Sequence, residues 1–147
     1  GWTKMAIANL NETLMSYKLR RNQLNLEITE LQSRKSLATY SQADVQSLKN
    51  AESRNIRNLY KQQYENSPEL QEKYKNYTEI PDFEDEIDKI TAKYQDQLDE
   101  LTAWETQIDA QITTDSAELE EVNAYLESLK SMLSSNIQED FNYGLNG

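Results

Sequence analysis

Five acidic residues stand together shortly after the second proline of this chain and are the side chains best suited to bind a hard cation: Asp82, Glu84, Asp85, Glu86 and Asp88. A calcium loop needs oxygen ligands at alternate positions around a central glycine. This segment has no glycine and runs into an apolar pattern with helical spacing. Acidic side chains also stabilise the positive end of a helix dipole. The run therefore predicts the start of a helix, and we predict no metal site.

Paired carboxylates offer a second kind of chemistry, because Glu120 and Glu121 could act as an acid and a base. That work needs a carboxylate with a shifted pKa and a cleft that holds substrate. The chain has no histidine and no cysteine, which removes the commonest general base and all thiol chemistry. Phosphate-binding glycine loops and zinc-site spacings are also absent from the sequence. We predict that the protein is not an enzyme, has no catalytic residues and binds no cofactor.

The charge of the chain is divided between a basic and an acidic half. Residues 1–67 contain ten Lys/Arg and six Asp/Glu, a net charge of +4, whereas residues 68–147 contain five and twenty, a net charge of −15. The larger acidic charge would repel nucleic acid. We therefore predict that the basic residues of the first half form ion pairs with the second half: Arg20, Arg21, Arg34, Lys35, Arg54 and Arg57.

Apolar spacing predicts the elements that position these side chains. Over about four heptads the a and d positions are apolar, and only Arg21 interrupts them. The apolar members are Ile7, Leu10, Leu14, Tyr17, Leu24, Ile28 and Leu31. Beyond them the stripe continues with a spacing nearer to eleven than to seven, through Val45, Leu48, Ile56 and Leu59. The first half therefore predicts one long helix with a coiled-coil seam.

Two prolines punctuate the middle of the chain. Ser67 is a good N-cap and Pro68 suits the first helical position, which predicts a short helix over about 68–77. Ile80 precedes the second proline and is pushed towards extended geometry, and Asp82 can cap the helix that follows.

The remaining segment again has apolar residues every three or four positions, which predicts a second long helix. Arms of nearly equal length, about 3–65 and 82–140, predict an all-α, elongated antiparallel helical hairpin or coiled coil that forms a single domain over 1–147. The apolar pattern weakens near 39–43, and 113–116 contains four poor helix formers. An alternative architecture therefore stays open, in which the arms fold over at these two places into a four-helix bundle.

Aromatic residues gather at the predicted tip of the hairpin and near its open end. The tip cluster consists of Tyr60, Tyr64, Tyr74, Tyr77, Ile80 and Phe83. These side chains suit a small core that holds the short helix in place, and they are also the best candidate site for a protein partner. A second candidate interface lies where the chain ends are expected to meet, at Trp2, Met5, Phe141 and Tyr143.

Outward-facing leucines bear most directly on function. Leu19, Leu26 and Leu37 lie outside the a and d positions and need another helix to cover them. They predict a coiled-coil structural or protein-interaction module with protein partners, of which a second copy of the chain is one. No apolar run approaches the 18 or so residues of a membrane span, and the first ten residues do not resemble a secretion signal. We therefore expect no membrane insertion, and a cytoplasmic or leaderless-secreted location.

A polar start to the first helix supports an alternative. The run Ala8-Asn9-Leu10-Asn11-Glu12-Thr13 is similar to the starts of helical hairpin proteins in bacterial flagellar and specialised secretion systems. This resemblance implies a leaderless secreted or appendage-associated protein. A holdase-type chaperone that grips clients between its arms is a further alternative.

Overall fold

Four helical elements make up the chain in the computed structural model, which describes the backbone of residues 2–146 and the side chains of residues 4 and 6–136. The long helix α1 covers Trp2–Glu65, the short helix α2 covers Pro68–Lys73, a 3₁₀ helix covers Tyr77–Glu79 and the long helix α3 covers Phe83–Asn146. No strand occurs in the described backbone. The predicted all-α fold with two long helices is confirmed.

The chain packs as two units. We call residues 1–34 and 108–147 the terminal unit, and residues 35–107 the connector unit. In the terminal unit Tyr17 stacks on Tyr125, and Arg20 bonds to Glu118. The two helices are therefore antiparallel in this unit. The same antiparallel pairing holds in the connector unit, where contacts join α1 to α3 at Gln42 and Glu105, at Glu52 and Tyr94, and at Tyr60 and Phe83.

The core of the terminal unit lies between α1 and α3 and contains several residues of the predicted seam. Its buried residues are Leu14, Leu24, Val122, Leu126 and Leu129. Four partly buried side chains pack against them, namely Leu10, Tyr17, Leu119 and Leu133. Leu24 is completely buried, and Arg21, the one charged residue in the seam, is half-buried. Apolar residues at a and d positions therefore bury a narrow stripe between two helices.

In the connector unit α1 turns inward two of the four predicted stripe residues, Val45 and Ile56, together with a run of positions spaced by seven. Lys49 lies seven residues after Gln42 and seven before Ile56, and all three are half-buried. Leu48 and Leu59 were predicted to lie in the stripe, but their side chains are 54% and 49% exposed. From Gln42 to Ile56 the spacing of seven holds even where it places a polar residue inward, and beyond Ile56 the buried residue is Tyr60 and not Leu59.

Both long helices are continuous where the alternative architecture required breaks. α1 runs through 39–43 and α3 through 113–116, so the four-helix alternative is wrong. The hydroxyls of Thr113 and Thr114 donate to the backbone carbonyls of Asp109 and Ala110, four residues earlier. This bonding lets threonines remain within a helix despite their poor propensity.

The segment between the long helices begins as predicted. The Ser67 side chain accepts a hydrogen bond from the Leu70 N–H, which confirms it as the N-cap of α2, and Pro68 occupies the first turn. The helix ends at Lys73, because Tyr74 is extended at φ −129° and ψ 145°. The predicted range of 68–77 was therefore too long.

The start of α3 differs from the prediction in one respect. Ile80 is extended at φ −61° and ψ 134°, as expected before a proline. Asp82 has φ 74°, a left-handed conformation, whereas N-cap residues are usually extended. Its backbone carbonyl accepts from the Glu86 N–H at 2.9 Å, the first bond of α3, which places Asp82 at the predicted N-cap position. Asp and Asn tolerate this region better than other residues with a Cβ.

Candidate interaction surface

The tip cluster forms one packed group in the connector unit. Tyr60, Ile80 and Phe83 are its buried members, and Tyr64, Tyr74 and Tyr77 pack around them with part of their surface exposed. The Phe83 ring lies edge-on to Tyr60 at 5.3 Å and to Tyr77 at 5.5 Å between ring centroids. Such edge-to-face pairs add to the stabilisation from buried area. The structure thus brings all six predicted residues together as a small core.

Hydrogen bonds and a cation extend this core. The Tyr64 hydroxyl donates to the carbonyls of Tyr74 and Lys75, at 3.0 and 2.9 Å, and so ties the chain after α2 to α1. The Arg57 guanidinium lies 5.7 Å from the centre of the Phe83 ring. Burial, and then a hydrogen bond with Glu86, raise the pKa of Tyr60 above its ordinary value.

One of the predicted ion pairs between the two halves joins the long helices of the terminal unit. Arg20 donates two parallel hydrogen bonds to Glu118, from Nε at 2.8 Å and from Nη2 at 2.7 Å. The hydrogen bond from Arg20 lowers the pKa of Glu118, and the same bond raises that of Arg20. Arg21 instead donates to Asn22, its neighbour in sequence.

Glu52 of α1 makes polar contacts with two residues of α3 in the connector unit. The Tyr94 hydroxyl donates to Glu52 Oε1 at 2.6 Å, and Lys93 Nζ lies 3.5 Å from the same oxygen. Tyr94 is buried, and its pKa is raised by the hydrogen bond to Glu52 and then by burial. These contacts join α3 to an inward-facing carboxylate of α1.

Asp115 is the one charged residue among the buried side chains that the structure describes. It lies in α3, seven residues after Ile108 and seven before Val122, and its exposure is 3%. One carboxylate oxygen accepts from Gln111 at 2.8 Å, while Oδ2 is buried without a hydrogen-bond partner. A buried unpaired acceptor costs stability, and sequence reasoning did not identify this position as inward-facing.

The other candidates for chemistry lie where the sequence placed them. Glu84, Asp85 and Glu86 occupy the first turn of α3, next to its positive dipole end. Glu120 and Glu121 are exposed on α3. Over the described residues, no group of three or more acidic side chains is arranged to hold a metal ion. No helix in that part of the chain is long and apolar enough to cross a membrane.

The second candidate interface, at Trp2, Met5, Phe141 and Tyr143, lies outside the residues whose side chains the structure describes. That prediction therefore stays a prediction.

Exposed apolar side chains are concentrated on α1. Leu19, Leu26 and Leu37, which the sequence predicted to face outward, are 60%, 62% and 57% exposed. Over the described side chains, seven of the nine large hydrophobic residues with high exposure belong to α1. The other four on α1 are Met15, Tyr40, Leu48 and Leu59, and the two on α3 are Tyr125 and Met132.

Five of these α1 residues recur at a constant interval of eleven. We call them the α1 row: Met15, Leu26, Leu37, Leu48 and Leu59. A small polar residue stands four positions before each of them, at Asn11, Asn22, Ser33, Asp44 and Asn55. This repeat is visible in the sequence alone, but it was missed because two of its leucines were assigned to the buried seam.

No family model, curated protein or solved structure matches this chain.

Proposed function

We propose that this chain is a non-enzymatic structural protein that binds other proteins through the outer face of α1. The supporting observation is the uneven distribution of exposed apolar residues. Seven lie on α1 and two on α3, although α1 already buries a separate apolar stripe against α3. A concentration of exposed apolar side chains on one helix offers a binding surface to another protein.

The row is a distinct surface from the one that stabilises the fold. In the terminal unit, Leu24 is completely buried, whereas Leu26, two residues along the same helix, is 62% exposed. In the connector unit, Ala38 is completely buried and Leu37, its neighbour, is 57% exposed. A helix with apolar residues on two faces needs a partner on each face. α3 covers the first face, and the partner protein covers the second.

The surface beside the row suits a helical partner. One shallow groove of the terminal unit is lined by Gln23, Leu26, Glu27, Glu30, Leu31 and Arg34. A second groove, in the connector unit, is lined by Lys35, Ser36, Thr39, Tyr40 and Ala43. Each lies along a few turns of α1 and combines apolar surface with polar groups. Side chains of a neighbouring helix fill spaces of this kind when helices pack.

Site-specific crosslinking in the cells that make the protein tests this proposal. A photoreactive benzoylphenylalanine is placed at Leu26, Leu37 or Leu48, and in a control variant at Gln32, which is exposed and lies about 140° around the helix from Leu37. We expect light-dependent protein adducts from the three row positions and not from the control. Adducts from the control alone, or from no position, would contradict the proposal.

A further inference from the structure

We infer that the protein covering the α1 row is a second copy of this chain, whose own α1 row lies against the first. This inference rests on the proposed function, because it names the partner for that surface. It depends on three properties of the row, which are its repeat length, its area and the charge around it.

The eleven-residue interval of the α1 row occurs again in the α1 helix of a second copy. Eleven residues make three helical turns to within about 20°, so row members within a unit return to nearly one face, roughly 16.5 Å apart. Met15 and Leu26 are related in this way in the terminal unit, and Leu37, Leu48 and Leu59 in the connector unit. A foreign helix would need the same interval to meet each leucine with an apolar residue. The α1 helix of a second copy has that interval because its sequence is the same.

The exposed apolar area of α1 is a substantial part of what a dimer interface needs. Burying one leucine-sized side chain removes on the order of 100 Å² from water. The exposed apolar residues of α1 therefore present on the order of 300 Å² in the terminal unit, which has three of them, and on the order of 400 Å² in the connector unit, which has four. A standard stable interface takes about 800 Å² from each partner. In each unit the apolar side chains of α1 thus supply roughly a third to a half of one partner's share.

Charge favours contact through α1 over contact through α3. α1 carries ten Lys/Arg and six Asp/Glu, a net charge of +4, whereas α3 carries three Lys and sixteen Asp/Glu, a net charge of −13. Two copies that met through α3 would bring these acidic surfaces together, and like charges in contact oppose association. Contact through α1 brings together the much smaller charge of +4 from each copy and keeps the acidic helices on the outside.

Sedimentation equilibrium of the purified chain tests the inference, and the monomer mass is 17.1 kDa. We expect a reversible dimer. The triple variant of the row, L26Q/L37Q/L48Q, removes six leucines from the dimer interface and should raise the dissociation constant by more than about a hundredfold. The matched control is Y125Q/M132Q, which removes exposed apolar residues from α3 instead. It should leave the constant within about threefold. Circular dichroism checks that both variants keep their helices.

Disulfide trapping gives a second readout. Because the chain contains no cysteine, each introduced cysteine can form a disulfide only with another introduced cysteine. Leu37 is the middle member of the row, so the variant L37C should crosslink to itself in either helix orientation. L26C crosslinks to itself in a parallel dimer, and to L48C in an antiparallel one. The control variant Q32C should stay uncrosslinked.

Several results would overturn the inference. A monomer at concentrations up to roughly 1 mM would do so, as would a dimer that the triple variant does not weaken or that none of the three row cysteines traps. A monomeric protein that still forms adducts with another protein at the row in cells would overturn the second copy as partner but leave the proposed function standing. Absence of both association and adducts would overturn both.

Discussion

Two leucines two residues apart on α1 give the sharpest test of which face is buried. Leu24 is 0% exposed and packs in the core of the terminal unit with Leu14, Val122 and Leu126. Leu26 is 62% exposed. Replacing each by alanine removes the same atoms from the same helix. The difference between the two variants therefore measures burial, with helix propensity held nearly constant.

The expected magnitudes follow from this burial. Leu→Ala removes three carbons, and at about 0.8 kcal/mol per buried CH₂ the loss at Leu24 is about 2.4 kcal/mol. The unfilled space adds a cavity term of about 24 cal/mol per Å³, which places the total cost of Leu24→Ala at roughly 2.5–5 kcal/mol. At Leu26 most of the side chain stays in water in both states. We expect Leu26→Ala to change the free energy of unfolding by less than about 0.5 kcal/mol.

Urea denaturation followed by far-ultraviolet circular dichroism measures both variants against the original chain. The protein concentration is chosen low enough that sedimentation shows only monomer, because dimerisation would add its own stability. The free energy of unfolding should fall with urea concentration at the same slope in both variants. Equal slopes would show that the surface exposed on unfolding is unchanged. Similar losses at the two positions, or a larger loss at Leu26, would refute the helix register on which the fold and the α1 row both depend.

Three further predictions concern polar groups inside the two units. Asp115→Leu should raise the free energy of unfolding by on the order of 1–3 kcal/mol in urea denaturation, because it removes a buried oxygen without a partner; a loss of stability would show that the carboxylate is satisfied. Because the bidentate bond lowers the pKa of Glu118 below its ordinary 4.5, the ion pair with Arg20 stabilises above that pH and is lost as pH falls through the lowered pKa. The stability difference between the original chain and Glu118→Gln, measured in denaturant at several pH values, should therefore shrink on acidification, and a constant difference would count against the pair. The hydrogen bond to Glu52 raises the pKa of Tyr94 above 10.0, so its stabilising effect is complete below pH 10.0 and lost as pH rises through the raised pKa. Spectrophotometric titration should show two late-ionising tyrosines, Tyr60 and Tyr94. One of them should disappear in Tyr94→Phe, and an unchanged titration curve would contradict the prediction.

Sequence reasoning predicted the candidate surfaces unevenly. The tip cluster was identified because aromatic residues were concentrated around two prolines, and the structure packs all six of its members together. Its internal geometry was not predictable. The Tyr64 hydroxyl bonds to carbonyls ten and eleven residues away, and Tyr74 turns extended where a longer helix was expected.

Leu48 shows why the outer face was only half recognised. It is apolar and lies three residues after Val45, a spacing that fits an inward-facing stripe, yet it is 54% exposed. The apolar character of a leucine in a single sequence does not show whether its side chain faces a partner helix or water. The eleven-residue repeat was readable in the sequence, but the exposed fractions were needed to separate it from the heptads of the seam.

The amino-acid sequence determined the helices themselves, because helix signals are local. Ser67 and Pro68 set a helix start, apolar residues every three or four positions set the long helices, and few glycines and prolines leave them unbroken. Only the tertiary structure decided which side chains of those helices are buried. Antiparallel pairing fixes which positions face inward within each unit. It places Asp115 in the core of the terminal unit and Leu48 at the surface of the connector unit, against the preference of a carboxylate for water and of a leucine for an apolar environment. The many contacts along the seam outweigh the preference of any single residue.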